Sequence, residues 1–232
     1  MVRIGLKREI LEKENREAEA NRRLLSRHGI AVFNLIGSPG SGKTSLIEAA
    51  LRRLPKGVRS AVIEGDLATD KDARRLRKLG IPVVQINTGR GCHLTPRMIR
   101  VAAGELPLEE IDLLIIENIG NLVCPVNFDL GETAKVGVLS VAEGDDKPEK
   151  YPLLFREAEI LLLNKIDLLP GSDFRRRAFY GGVRRINPGL PVIEISCRTG
   201  EGARKWAEWL EKQVRRQKAE VGRQKQEVRS RK

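Results

Sequence analysis

The sequence predicts an α/β sandwich, a mostly parallel central sheet with helices on both faces. Two observations carry the prediction. Short, near-continuous apolar runs alternate with amphipathic stretches, and the first such run opens directly into a glycine-rich turn and a helical segment. Strands that read as unbroken apolar runs are those buried on both faces, as a helix-covered parallel sheet requires.

In chain order, Leu6 to Arg27 is charged and helical in pattern, with a narrow apolar stripe of Ile10, Leu11, Leu24 and Leu25; it reads as an appended helix, with His28 as a capping or packing residue at its end. Strands are expected over Ala31 to Gly37, Val58 to Glu64, Pro82 to Asn87, Asp112 to Ile116, Lys135 to Ala142, Ile160 to Asn164 and Pro191 to Ile195. Helices are expected over Lys43 to Leu54, Lys71 to Leu79, Pro96 to Gly104, Asp173 to Ile186 and from Gly200 onward, where Trp206 and Trp209 should anchor the last helix to the core. Beyond about Val214 the apolar periodicity fades, so this segment is expected to fray or to project as a solvated helix. The chain thus divides into a helical extension (1–28), one α/β domain (29–213) and a basic tail (214–232).

Length and composition agree with a single domain: 232 residues, 41% hydrophobic, with no apolar run long enough to span a bilayer. The N-terminal segment lacks the apolar core of a secretory signal, and a cytoplasmic location is expected. Half of the formal charge of +12 lies between Glu211 and Lys232, where nine Lys or Arg face three Glu. No aromatics interleave with those charges, so only a salt-dependent, sequence-blind attraction to nucleic acid would follow, and none is expected as a specific partner. Cys92, Cys124 and Cys197 are too few and too scattered for a disulfide scaffold.

Gly37-Ser38-Pro39-Gly40-Ser41-Gly42-Lys43-Thr44-Ser45 lies between the first strand and the first domain helix and fits the phosphate-binding loop GxxxxGK[ST]. Its glycines let backbone N–H groups converge on phosphate oxygens, Lys43 can reach the β and γ phosphates, and the Thr44 hydroxyl can ligate magnesium. The fold class sharpens to a P-loop NTPase. Asn164-Lys165-Ile166-Asp167, at the end of a strand about 120 residues downstream, selects the base. A carboxylate at Asp167 can accept from both N1–H and the exocyclic amine of guanine, donors that adenine does not present together, while the Lys165 stem can cover the purine face. Ser196-Cys197-Arg198 after the next strand resembles the last base loop of GTPases, with Cys197 in its small-residue position.

Hydrolysis needs acidic residues at strand ends. Glu117 follows a run of apolar residues, with Gly120 placed as in the switch motif DxxG, and Asp66 ends the strand AVIEGD. Thr44, Asp66 and Glu117 are the candidate magnesium partners; Asp70 or Asp72 is the candidate for orienting the attacking water, with Asp72 favoured. No glutamine follows Gly120 to orient water, so slow intrinsic turnover is expected.

Cys92 and His93 follow the strand VVQIN, and Cys124 lies seven residues past Glu117, so both loops should emerge at the phosphate edge of the sheet. Cys and His suit zinc, nickel or copper, but three ligands leave a tetrahedral site open, and a twofold dimer would complete it. On spacing alone, buried packing cysteines remain an equal reading.

The strings GSPGSGKTSL, EGD with TDKDA, TGRGCHL, IIENIGNLVCP, FDLGE, LSVAEGDDKPEKYP and LLNKIDLL span roughly Phe33 to Gly202 and resemble the hydrogenase-maturation GTPases of the HypB family, relatives of UreG. The resemblance implies GTP/GDP and Mg2+ as ligands, a GTP-dependent homodimer, and a Ni2+ or Zn2+ site at Cys92, His93 and Cys124. It also implies nickel delivery to a [NiFe]-hydrogenase large subunit precursor with an accessory protein of the HypA kind. The sequence departs from many members in lacking an N-terminal cysteine cluster or a histidine-rich stretch, which argues against nickel storage. A GTPase chaperone for another metal or cobalamin enzyme, or an RNA-associated GTPase using the basic tail, are the alternatives.

Overall fold

The computed structural model describes residues 3–66, 70–89 and 91–230, with backbone alone for 3–11, 224–225 and 227–230. Ile10 and Leu11 of the expected apolar stripe therefore lie outside the described side chains, and Thr69 and Arg90 of the recognised strings lie outside the described residues. In chain order the elements are α1 (Arg3–Arg27), β1 (Ala31–Gly37), α2 (Lys43–Leu51), β2 (Ser60–Asp66), α3 (Lys71–Arg77), β3 (Val83–Asn87), α4 (Pro96–Gly104) and β4 (Leu113–Glu117). They continue with β5 (Ala134–Ser140), α5 (Lys147–Lys150), α6 (Pro152–Glu157), β6 (Ala158–Asn164), α7 (Arg176–Ile186), β7 (Val192–Glu194) and α8 (Ala203–Ser230).

The seven strands form one sheet in the order β3-β2-β4-β1-β5-β6-β7, and each paired neighbour runs parallel. Central β1 is buried along its whole length. Its alternate residues divide the core: Phe33 and Leu35 pack with Leu46 of α2 and with Trp206 and Leu210 of α8, while Val32 packs with Leu25 of α1 and Ile99 of α4. Phe155 of α6 and Phe179 of α7 complete the second face. This is the predicted three-layer architecture. The short helices α5 and α6 were not foreseen; Pro148 and Pro152, in their first turns, are the start signals within the EGDDKPEKYP stretch.

One reading needs correction. His28 is exposed, so it does not pack; the end of α1 is closed by Gly29, whose positive φ of 73° lets its N–H reach the Ser26 carbonyl at 2.9 Å, with Ile30 N–H on Leu25 O at 3.1 Å. The segment after Val214 takes the second of its two expected forms, a helix with most of its described side chains exposed. It continues α8 to Ser230, and Lys218 Nζ lies 2.9 Å from Oδ1 of the buried Asp112. Trp206 anchors α8 as expected, fully buried with Nε1 donating to Leu46 O at 3.2 Å.

Besides the apolar contact of Leu25, a buried polar side chain docks the extension. Asn21 of α1 donates to the carbonyls of Pro96 (2.7 Å) and Leu130 (3.0 Å) and accepts from Arg100 Nε (2.9 Å). Those carbonyls belong to the segments after Cys92-His93 and after Phe128.

Candidate nucleotide and metal site

The carboxyl ends of β1, β2, β4 and β6 bring the predicted residues to one edge. Gly37 closes β1 where an added Cβ would come within 2.5 Å of the Val138 carbonyl, so a side chain there would wedge the phosphate loop away from β5. Gly40 and Gly42 take positive φ of 75° and 95°, turning successive N–H groups inward before α2 begins at Lys43. Lys43 Nζ donates to the carbonyls of Gly37 (3.2 Å) and Ser38 (3.3 Å), and burial lowers its pKa against the pull of Glu117. Thr44 Oγ1 donates to Glu117 Oε1 at 2.8 Å. Ser45 Oγ accepts from Arg75 at 3.3 Å.

Above this loop lies a cavity of about 490 Å³ whose lining includes Thr44, Glu64, Asp66, Asp72, Glu117 and Gly120. Glu64 and Glu117 are register partners on neighbouring strands. Burial raises Glu117 to about 7 although Lys43 and Thr44 oppose it, and burial together with the Glu117 and Asp66 charges raises Glu64 to about 8. Oε2 of each is buried without a hydrogen-bond partner among the described residues. Two buried carboxylate oxygens beside a threonine hydroxyl and a triphosphate cradle are a donor set that fits a hard divalent cation. Asp72 lines the cavity while bonded to Arg75 at 3.1 Å, whereas Asp70 is absent from the lining and pairs with Arg74.

The base edge is a second cavity, of about 520 Å³, whose lining includes Ser45, Asn164, Lys165, Asp167, Cys197 and Arg198. Asn164 Nδ2 donates to Ser41 O (2.9 Å) and Lys165 Nζ to Gly40 O (2.7 Å), tying the base motif to the phosphate loop. Asp167 accepts from Ser196 Oγ at 2.6 Å and meets Arg198 Nε at 3.0 Å; both hold its carboxyl below the ordinary range, the serine bond most. Burial raises the Cys197 thiol to about 11, as befits a packed loop residue.

Cys92, His93 and Cys124 also meet. Cys92 Sγ lies 3.5 Å from His93 Nδ1, and a hydrogen bond with Cys124 raises the Cys92 thiol above its ordinary value. The His93 ring stacks on Phe128 with centroids 3.9 Å apart and planes 9° from parallel. Yet among the described residues no three donor side chains converge closely enough to hold an ion. Within one chain the set is open.

The residues that join these sites were missed in the sequence. Asn121 N–H donates to Gly37 O at 3.0 Å, and its Nδ2 donates to Cys92 O at 3.2 Å. The buried Asn118 accepts on Oδ1 from Leu94 N–H (3.2 Å) and from its own neighbour Ile119 N–H (2.9 Å), and its Nδ2 donates to Asn34 Oδ1 at 3.0 Å. Glu64 stood in a recognised string, but its pairing with Glu117 depends on strand order.

Comparisons with known proteins agree with this geometry. Residues 31–194 match the family described as CobW/HypB/UreG, nucleotide-binding domain. The hydrogenase maturation factor HypB of Escherichia coli (strain K12) is 51% identical over 205 residues, covering 88% of this chain and 71% of that protein. The crystal structure of HypB from Helicobacter pylori in complex with nickel superposes with a TM-score of 0.84 at 36% identity, covering 88% of this chain and 96% of the other. The structure of the hydrogenase maturation factor HypB from Archaeoglobus fulgidus gives 0.82 at 38% identity, covering 88% and 100%.

Proposed function

The chain belongs to the CobW/HypB/UreG nucleotide-binding family, among its HypB hydrogenase maturation factors, and from that premise we propose that it is a slow GTPase whose nucleotide state governs a nickel-transfer site. One observation carries this reading: Asn121 is bonded at once to the phosphate loop through Gly37 O and to the metal-donor loop through Cys92 O. A residue shared in this way lets a change at the γ phosphate reach the Cys92 loop without a long path.

In the proposed mechanism the phosphate-loop amides and Lys43 hold the β and γ phosphates, trading the Gly37 and Ser38 carbonyls for phosphate oxygens. Thr44, Asp66 and Glu117 would hold a magnesium ion, which would supply positive charge against the negative charge developing on the phosphates. Asp72 orients the attacking water, and with no glutamine after Gly120 turnover stays slow. Asn164 and Asp167 select guanine, Lys165 covers its face, and Ser196, Cys197 and Arg198 close the base loop.

Cys92, His93 and Cys124 take nickel or zinc as cargo. Because three donors leave the site open, a second copy of the chain supplies the rest, giving a GTP-linked homodimer. The nickel comes from an accessory protein of the HypA kind and goes to a [NiFe]-hydrogenase large subunit precursor in the cytoplasm. Among the described residues no helix is long and apolar enough to cross a membrane. The domain division proposed is 1–28, 29–213 and 214–232.

Nickel titration with a GTP analogue and with GDP tests the reading. Affinities that differ between the two states support it; equal affinities in an intact, nucleotide-loaded dimer would refute the switch.

A further inference from the structure

We propose that Asn118 is the positioning residue that transmits nucleotide state to the metal-donor loop, a role that deepens the switch reading above and rests on it. The argument starts from what one carbonyl oxygen accepts. Asn118 Oδ1 takes the N–H of Ile119, in the segment running from Glu117 to Gly120, and the N–H of Leu94, the residue after His93. These two loops are 24 residues apart in sequence, and the side chain that joins them is 1% exposed. A buried amide that lost either bond would leave an unpaired donor in a low-dielectric interior, so the two loops are held in one arrangement or must shift together.

The same side chain opens a second arm. Asn118 Nδ2 donates to Asn34 Oδ1 (3.0 Å), Asn34 Nδ2 donates to Glu132 Oε1 (3.3 Å), and Glu132 Oε2 accepts from Leu130 N–H at 2.6 Å. Leu130 lies two residues past Phe128, whose ring holds the His93 imidazole. Asn118 therefore reaches His93 from both sides, through the backbone of Leu94 and through the segment bearing Phe128. All three polar members, Asn34, Asn118 and Glu132, are buried.

On the nucleotide side the link is steric. Gly120 presses on Pro39 of the phosphate loop so closely that an added Cβ would come within 2.8 Å of its ring. A nucleotide that moves Pro39 moves Gly120, and with it the Ile119 amide that shares its acceptor with Leu94. Coupling by discrete rearrangement of a packed polar network requires contacts of this kind.

The test is amide hydrogen exchange on the full-length chain loaded with GTP analogue or GDP, read over residues 92–94 and 128–132, with metal affinity measured in parallel. Exchange over both segments should depend on nucleotide in the wild type. Asn118→Ala should lose that dependence at both, and the ratio of metal affinities in the two nucleotide states should fall from about tenfold or more to within about twofold while nucleotide still binds. Asn118→Asp keeps the acceptor for Leu94 but not the donor to Asn34. It should keep the response at 92–94 and lose it at 128–132, which carries the test if the alanine variant does not fold. Exchange that ignores nucleotide in the wild type, or that keeps its nucleotide dependence in Asn118→Ala, would overturn the proposal. Nucleotide-dependent exchange with equal metal affinities would instead leave the relay standing and sink the metal switch.

Discussion

Glu64 and Glu117 stand opposite one another on parallel neighbouring strands, each with a buried carboxylate oxygen that no donor among the described residues satisfies. Both pKa values are raised from an ordinary 4.5, to about 8 and about 7, chiefly by burial. The folded state then holds more protons than the unfolded chain between pH of about 4.5 and 8, so these groups support folding at low pH and cost stability as pH rises through 7 and 8. We predict that the melting midpoint of nucleotide-free protein in chelator falls from pH 6 to pH 9, and that Mg2+ with nucleotide offsets the fall. Glu64→Gln should flatten the profile and raise the midpoint at pH 9 by about 3 °C or more. An unchanged slope in that variant would dismiss the carboxylate pair as its source.

Glu117→Gln separates magnesium from nucleotide. The variant keeps an acceptor for Thr44 Oγ1 at the carbonyl but loses the charge facing the phosphates. GTP-analogue affinity without Mg2+ should be unchanged or slightly tighter, since one negative charge is gone, while the gain on adding Mg2+ should shrink by about tenfold or more, roughly the worth of one charged ligand. Titration with a fluorescent analogue at varied Mg2+ reads both quantities.

Asp167→Asn should exchange the base preferred. The carboxylate accepts two hydrogen bonds; an amide offers one donor edge in its place, which matches a carbonyl at purine C2 as in xanthine. GTP affinity should fall by about a hundredfold or more, and xanthosine triphosphate should become the better ligand, because a site built for one hydrogen-bond pattern rejects the other strongly. The amide oxygen can still accept from Ser196 Oγ, and the ion pair lost is with the exposed Arg198, so folding should be little affected. Competition binding with both nucleotides decides it.

Cys92→Ala and Cys124→Ala should each abolish most thiolate-to-nickel absorption, whereas Cys197→Ala should not. Binding should also tighten as pH rises, since the Cys92 thiol is raised and must deprotonate to ligate. Phe128→Ala should weaken binding by about tenfold without removing a ligand, because the stacked ring fixes the imidazole.

Much of this was legible in the chain because the chemistry is local. The phosphate loop, Asn164 to Asp167 and the alternation of strands and helices each lie within a short contiguous stretch, and short stretches are what periodicity and spacing can read. What stayed hidden depends on strand order. Glu64 faces Glu117 only because β2 pairs with β4, and Asn118 meets Leu94 and Asn34 only because β4 lies between β2 and β1. Asn121 stood within a recognised string, but nothing in its neighbours announces a bond to Cys92 O. The helical form of the tail could be read in the chain, but its ion pair with Asp112 could not, since that residue lies more than a hundred positions earlier.

That contact yields the last prediction. Asp112 is 4% exposed and accepts from Arg59 Nη2 at 2.9 Å and from the Arg59 backbone N–H at 3.0 Å, with Lys218 Nζ also at 2.9 Å. Burial opposes ionisation, but Arg59 and Lys218 prevail and hold the carboxyl well below its ordinary 3.8. A depressed carboxylate supports folding above its unfolded pKa, and the support is lost as pH falls through the folded value. Lys218 is half exposed, so solvent screens its share. Lys218→Ala should cost about 0.5–1 kcal/mol at pH 7, and less in high salt or below pH 3. Asp112→Ala should cost more, since it strips four donors at once, Arg59 Nε at 3.3 Å included, and adding Lys218→Ala to it should cost nothing further. If the two losses add in full, the tail does not act through Asp112. If GTP binding and nickel transfer also survive deletion of 215–232, the basic segment is needed for neither, and its contribution is the brace on Asp112 at the start of β4.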